Sequence, residues 1–187
     1  MFTMKAVLLP LAEGFEEIEA ITLIDVLRRA DIKVTTAALK AQNVTGAHGI
    51  GLLADRLLDQ VRGQHFDLIV LPGGLPGAHH LRDDVRVIHL LQEAVAAGRY
   101  VAAICAAPVA LAKAGLLQGK RAAAYPGSLD KLDIQGLTLL SDDVVQDGKI
   151  ITSRGPATAM VFALHLVQLL QGEEVALRVG QGMLVAG

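Results

Sequence analysis

The only cysteine of the chain, Cys105, lies where an apolar strand pattern changes into a helical pattern. Residues 100–104 are typical of a short buried strand, and residues 106–117, with Pro108 near their start, indicate a helix. A cysteine between them would lie on a tight strand-to-helix turn, as nucleophiles do in an elbow. The helix N-terminus favours a thiolate, so we expect a pKa below the usual value of about 8.5. The alternative is a buried cysteine that packs as a small apolar side chain.

Composition narrows the classes of protein to be considered. The 187 residues suit one domain, and a single cysteine excludes a disulfide framework and any CxxC metal site, which favours a cytoplasmic location. A net charge of −2 and six aromatic residues argue against nucleic-acid partners. The apolar N-terminal run is too short for a signal peptide, and no uncharged stretch approaches the roughly 18 residues of a membrane span, so we expect no membrane association.

The beginning of the chain predicts a βαβ unit. Residues 5–11 and 33–39 have the composition of strands, and residues 16–30 between them show helical spacing of apolar side chains, including Ile18 and Ile21. Two strands joined by a helix pair in parallel. A parallel sheet with helices on its faces is therefore expected.

The remaining chain continues this alternation. Residues 43–62 are ambiguous and suggest a hairpin that leads into a short helix. Further strands are predicted at 66–71 and 120–125, a hairpin at 144–152, helices at 84–97 and 157–170, and a short final helix or tail at 173–179. This order predicts a single domain over residues 1–187 with a doubly wound, mostly parallel α/β sheet.

Four motifs carry a family resemblance. They are residues 14–19 (GFEEIE), 71–74 (LPGG), 102–108 (AAICAAP) and 152–156 (TSRGP). In order and spacing they resemble the parkinsonism-associated deglycase family of the ThiJ/PfpI superfamily, most of all its bacterial YajL-type branch. The resemblance covers residues 5–180 or so.

The resemblance implies a flavodoxin-like homodimer in which Cys105 is the nucleophile and Glu19 its partner carboxyl group. A carboxyl group near a sulfur anion is disfavoured as an anion, so we expect Glu19 to be protonated and to donate to the thiolate. The N–H groups of Gly74 and Ala106 would form an oxyanion hole. Glu16 and Glu17 are interpreted only as charges at a helix N-terminus.

Three further residues complete the expected pocket. The resemblance implies that Arg154 binds a small anion or carboxylate, or lies at the dimer contact. Tyr125 occupies a position where many relatives have histidine, although YajL-type relatives also lack that histidine. His79, with His80 beside it, is a second-choice base, and no third ligand suggests a metal there.

The first functional hypothesis is an enzyme without cofactor or metal, of glyoxalase or deglycase type, acting on dicarbonyls such as methylglyoxal or on their early adducts. An alternative is a redox-sensing stress protein or chaperone that uses Cys105 oxidation. A cysteine hydrolase is a lesser alternative, because tyrosine is a poor base at neutral pH.

Overall fold

Apolar residues fill the central strands, as expected of strands that are buried on both faces. In the computed structural model, which describes residues 4–185, the four residues Leu68–Leu71 are all buried, and so are four of the five in Tyr100–Ile104. The strands are β1 (Ala6–Leu11), β2 (Lys33–Ala38), β3 (Asn43–Thr45), β4 (Gly51–Leu53), β5 (Arg56–Leu57), β6 (Leu68–Leu71), β7 (Tyr100–Ile104), β8 (Arg121–Ala122), β9 (Thr138–Leu139), β10 (Val144–Asp147) and β11 (Ile150–Ser153).

Helices cover both faces of the main sheet. They are α1 (Glu17–Arg29), α2 (Gly77–Asp83), α3 (Val85–Ala96), α4 (Pro108–Lys113), α5 (Ala159–Gln171) and α6 (Glu173–Gly182), with short 3-10 turns at Leu58–Val61 and Pro156–Thr158. Helix α5 packs against α1 and α6, whereas α2, α3 and α4 pack against one another. No helix among the described residues is both long and apolar enough to span a membrane.

The main sheet has seven strands in the order β10-β11-β7-β6-β1-β2-β5. Every neighbouring pair is parallel except β10 and β11. The predicted doubly wound, mostly parallel α/β fold is therefore confirmed. Because β11, β7, β6 and β1 are adjacent and parallel, the loops that follow their carboxyl ends meet at one edge of the sheet.

The predicted apolar face of α1 is wrong in its first two turns. Ile18 and Ile21 are 57% and 47% exposed, while Glu17 and Glu19 are buried. The apolar face that packs on the core is supplied by Ala20, Leu23, Ile24, Val26 and Leu27. The helix thus begins with its acidic residues turned inward, which the periodicity of apolar residues could not indicate.

Smaller differences concern element lengths. The strand predicted at 120–125 is reduced to β8, which pairs with β9 in a separate ladder, and the helix predicted at 106–117 is reduced to α4. Helix α2 was not predicted. The ambiguous stretch 43–62 contains the β3–β4 hairpin, β5 and a 3-10 turn, so the hairpin and short helix expected there are confirmed.

Candidate active site

Cys105 lies on the sharp turn between β7 and α4. Its φ of +64° is in the left-handed region, which non-glycine residues rarely adopt and which costs of order 1–3 kcal/mol. The turn is held from both sides, because the Cys105 N–H donates to the Ser153 carbonyl (3.0 Å) and the Tyr125 N–H donates to the Cys105 carbonyl (2.8 Å). The predicted elbow geometry is therefore present.

Glu19 is fully buried in the first turn of α1. Its Oε2 accepts a hydrogen bond from the Gly73 N–H at 2.7 Å. Its Oε1 has no well-aligned partner among the described residues, and the Cys105 thiol is the polar side chain that interacts with the carboxyl group. Burial raises the pKa of Glu19 to about 7; the hydrogen bonds with Gly73 and Cys105 oppose the rise, and the charge of Glu16 adds to it.

The pKa of the Cys105 thiol differs from the sequence prediction. Burial, and then the negative charge of an ionised Glu19, raise the pKa of Cys105 to about 12, although hydrogen bonds from the N–H groups of Ala106 and Gly74 work in the opposite direction. The expected lowering of the Cys105 pKa is wrong, because burial disfavours a second negative charge beside an ionised Glu19. In this pair both burial and the neighbouring charge favour the protonated sulfur.

The backbone at residues 73–74 lies unusually close to this pair. A Cβ on Gly73 would lie 2.6 Å from the Cys105 Cβ and 2.7 Å from Oε2 of Glu19. Gly74 has a φ of +87°, and a Cβ there would overlap the backbone at Phe15. Only glycine allows this approach. The N–H groups of Gly74 and Ala106 act to lower the pKa of the nearby thiol, and the oxyanion hole expected from them stays a prediction.

A groove lies between the segment that follows β8 and the residue that follows β11, and Cys105 is not among the residues that line it. It has a volume of about 350 Å³, and its lining includes Tyr125, Asp130 and Arg154. Tyr125 is about half exposed, and its ring lies next to Gly155, where an added Cβ would be 3.5 Å from Cδ2. Arg154 is half-buried and forms no ion pair with a carboxylate of residues 4–185. The structure therefore leaves its guanidinium available to a ligand.

The histidines are placed apart from the thiol. His79 and His80 are exposed on α2, and the Nδ1 of His80 lies 3.2 Å from the Glu13 carbonyl oxygen. Within the described part of the chain, no histidine forms a hydrogen bond with Cys105. A hydrolase mechanism with an imidazole base has no support in this arrangement.

One buried charged residue was missed by the sequence interpretation. Glu17 is 6% exposed, and its carboxylate accepts hydrogen bonds from the backbone and the ring of His48 at 2.7 and 2.8 Å. Burial works to raise its pKa, but these bonds, with one from the Ile50 N–H, lower it to about 2. Nothing in the acidic run 16–19 distinguishes this residue from an exposed neighbour.

Among residues 4–185, the group of side chains close enough to share a metal ion is Glu16, Glu17 and His48, whose ligand atoms lie within 4.8 Å of one another. Both oxygens of Glu17 already accept hydrogen bonds from the β3–β4 hairpin. The cluster therefore serves to join helix and hairpin.

A cysteine on an elbow at the carboxyl edge of a doubly wound sheet, paired with a buried carboxyl group, defines a class of α/β proteins with a cysteine nucleophile. The model of the DJ-1/PfpI family matches residues 5–169, and the chain belongs to this family. The superfamily expected from the four motifs is thereby confirmed.

Individual relatives agree over most of the chain. Protein dj-1beta of Drosophila melanogaster is 44% identical over 184 residues, which cover 97% of this chain and 98% of that protein. The crystal structure of Drosophila melanogaster DJ-1beta has a TM-score of 0.93 at 42% identity and covers 99% of this chain and 100% of that one. The Caenorhabditis elegans protein named glutathione-independent glyoxalase DJR-1.2 is 38% identical over 168 residues, covering 90% of this chain and 89% of that protein.

The plant relatives are longer proteins. DJ-1 homologues A and B of Arabidopsis thaliana are 44% and 45% identical, and the chain spans 44% and 40% of their respective lengths. Similarity to them therefore concerns one portion of each protein.

Proposed function

We propose that this chain is a cysteine-dependent enzyme of glyoxalase or deglycase type that needs no cofactor. Its substrates would be dicarbonyls such as methylglyoxal, or their early adducts with protein or nucleotide groups. The observation that carries the proposal is the Cys105 thiol on its elbow, next to a buried carboxyl group whose pKa is about 7. The similarity to a Caenorhabditis elegans protein named as a glyoxalase supports the same class of reaction.

In the proposed reaction, Glu19 accepts the thiol proton while the Cys105 sulfur attacks the aldehyde carbon, which gives a hemithioacetal. The N–H groups of Gly74 and Ala106 stabilise the oxygen that becomes negative. A proton then moves from the former aldehyde carbon to the neighbouring carbonyl carbon, which converts the hemithioacetal into the thioester of a hydroxy acid. Water hydrolyses this thioester and restores the thiol, so methylglyoxal and water give lactate without an oxidant or reductant.

The raised pKa of Glu19 suits this role. A group with a pKa near the working pH is present in both protonation states and can accept and return a proton. A carboxyl group at 4.5 would be too weak a base for a buried thiol. Desolvation of Glu19 is therefore part of the proposed mechanism and not only a cost of folding.

The groove lined by Tyr125 and Arg154 would receive the rest of the substrate. We assign Arg154 to a carboxylate or other anionic group of an adduct, because it is half-buried and its guanidinium matches the planar geometry of a carboxylate. Tyr125 would cover the reacting group at the mouth of the groove. His79, which is exposed on α2, stays a second-choice base.

The test is lactate formation from methylglyoxal by the wild type and by Cys105→Ala. The chain has a single cysteine, so this variant carries no thiol at all. An equal concentration of N-acetylcysteine measures the background of a free thiol in solution. We expect the variant to fall to the rate without protein and the wild type to exceed the free thiol. Equal rates for the two proteins would contradict the proposal.

A second candidate function is a redox-responsive stress protein or chaperone in which Cys105 is oxidised to a sulfinate. A protonated Glu19 would donate a hydrogen bond to that sulfinate, and the amides of Gly74 and Ala106 would add two more donors. The similar Toxoplasma gondii structure is described as an oxidised DJ-1. Mass spectrometry after mild peroxide should find added oxygen on Cys105 first; oxygen on methionine alone would exclude this role.

We also propose a homodimer. Ile18 and Ile21 are exposed on one face of α1, and the exposed Ile50 lies nearby because its N–H reaches Glu17 at 3.4 Å. An apolar surface of this kind favours self-association. Light scattering after gel filtration should give a dimer for the wild type and a monomer for Ile21→Glu. A matched change of the exposed Leu177 on α6 should leave the mass unchanged, and identical masses for all three proteins would contradict this interface.

Two further proposals, one on the branch of the family and one on the location in the cell, each rest on a single residue. We place the chain in the YajL-type branch because Tyr125 stands where many relatives of the wider family have histidine. We place it in the cytoplasm because its one cysteine is a free thiol. Sequence phylogeny and cell fractionation test these assignments separately.

A further inference from the structure

The loop between β1 and α1, residues 12–16, is held from two sides. On one side the Glu16 N–H donates to the Gly73 carbonyl at 2.9 Å, next to the amide that binds Glu19. On the other side the Ala47 N–H donates to the Phe15 carbonyl at 2.8 Å. The start of α1 is therefore fixed between the active-site turn and the tip of the β3–β4 hairpin, residues 46–50.

Glu17 makes the strongest connection to this hairpin tip. Its Oε1 accepts from the backbone N–H groups of His48 (2.7 Å) and Ile50 (3.4 Å), and its Oε2 meets Nδ1 of His48 at 2.8 Å. Gly46 lies so close that an added Cβ would overlap the Glu17 carboxylate. A buried carboxylate with these donors is bound in one position.

We propose that Glu17 is a positioning residue that fixes the first turn of α1 to the hairpin tip and so holds the Glu19 carboxyl group against Cys105. Glu19 follows Glu17 by two residues in the same helical turn, and the Gly73 N–H is its one well-aligned partner among residues 4–185. A rotation of that turn would move the Glu19 carboxyl away from the thiol. Misplacement of a reacting group by about 1 Å can cost a factor of about 100 in rate.

The effect on turnover rests on the proposed function, but the effect on the thiol does not. Alkylation of Cys105 by iodoacetamide does not require turnover; it depends on loss of the thiol proton, for which Glu19 is the neighbouring acceptor, and on access to a residue that is 8% exposed. The two readouts therefore separate this proposal from the enzymatic one. If the wild type forms no lactate, the proposed function fails, and the alkylation rates still decide the role of Glu17.

Two glycines in the same hairpin offer a matched pair of variants. Gly46→Ala pushes a methyl group into the Glu17 carboxylate, whereas Gly51→Ala places one in open space, and neither residue has a positive φ. At pH 7 we expect Gly46→Ala to alkylate at least about fivefold more slowly than wild type and to lower kcat similarly with KM unchanged. Gly51→Ala should stay close to the wild type. Equal rates for the two alanine variants would overturn the proposal.

A conservative variant separates position from charge. Glu17→Gln keeps an oxygen acceptor for the N–H groups of His48 and Ile50 and removes the negative charge, whereas Glu17→Ala removes both. We expect Glu17→Gln to recover most of the alkylation rate that Glu17→Ala loses. Equal losses in the two variants would assign the effect to charge and overturn the positioning role. Circular dichroism at the assay temperature verifies folding, and if Glu17→Ala is unfolded, the glycine pair decides alone.

Discussion

The burial of Glu19 should appear as a dependence of stability on pH. The pKa of its carboxyl group rises from 4.5 to about 7 on folding, mainly because the group is fully buried. The folded state therefore binds this proton more tightly than the unfolded state does. The associated stability is fully present below pH 4.5 and is lost as the pH rises through about 7.

The magnitude follows from the same two values. Each pKa unit corresponds to about 1.4 kcal/mol, so a rise from 4.5 to about 7 amounts to about 3 kcal/mol over the whole range. Between pH 5 and pH 8, most of this free energy, about 2 to 3 kcal/mol, should be lost. Glutamine cannot ionise, so Glu19→Gln should lose that much less over the same interval.

Urea unfolding at pH 5 and pH 8 measures this difference. The wild type and Glu19→Gln share every other titratable group, so those contributions largely cancel when the two pH dependences are compared. The same pair of proteins in a Cys105→Ala background removes the titration of the thiol. If the wild type and Glu19→Gln lose equal stability between the two pH values, Glu19 is ionised in the folded protein throughout, and the proposed exchange of a proton with Cys105 fails.

Three further substitutions test other contacts. Gly73→Ala should destabilise the fold by about 1–3 kcal/mol and slow alkylation of Cys105, because the added Cβ would lie 2.6 Å from the cysteine Cβ; unchanged alkylation would contradict the close approach. Thr152→Val should cost about 1–3 kcal/mol in urea unfolding, since the buried Ala123 N–H, which donates to Oγ1 at 2.8 Å, loses its acceptor. Phe162→Ala should cost about 3–5 kcal/mol by the same measurement, because this ring on α5 is fully buried, and a loss below about 1 kcal/mol would place it outside the core.

The fold was predictable because its signals are local and repeat along the chain. Continuous apolar runs such as 68–71, separated by helical spacing, indicate strands buried between two helical layers. The elbow was predictable for the same reason, since Cys105 interrupts an apolar run directly before a proline-initiated helix. Element lengths were less predictable, and β8 is short and pairs with β9, a two-residue strand that was not predicted.

The periodicity of apolar residues did not predict which side chains of α1 face the core. Its pattern places Ile18 and Ile21 toward the core and the glutamates toward water, whereas the structure does the opposite in these turns. The glutamates face inward because distant segments supply hydrogen-bond donors to them. The Gly73 N–H donates to Glu19, and backbone N–H groups of the β3–β4 hairpin donate to Glu17. These donors come from segments more than 25 residues away in the chain, and the local spacing of residues gives no sign of them.

The pKa of the Cys105 thiol shows why the elbow motif alone did not predict its ionisation state. The helix N-terminus is present and its Ala106 amide does favour a thiolate, but this effect is smaller than the combined burial of Cys105 and Glu19. Two acids without a neighbouring cation can keep one negative charge between them more easily than two, so the pair retains a proton near neutral pH. Nucleophilicity then depends on which atom holds that proton. Binding of a carbonyl oxygen at the Gly74 and Ala106 amides would move the proton to Glu19 as the sulfur attacks, and the substrate itself would complete the activation of the thiol.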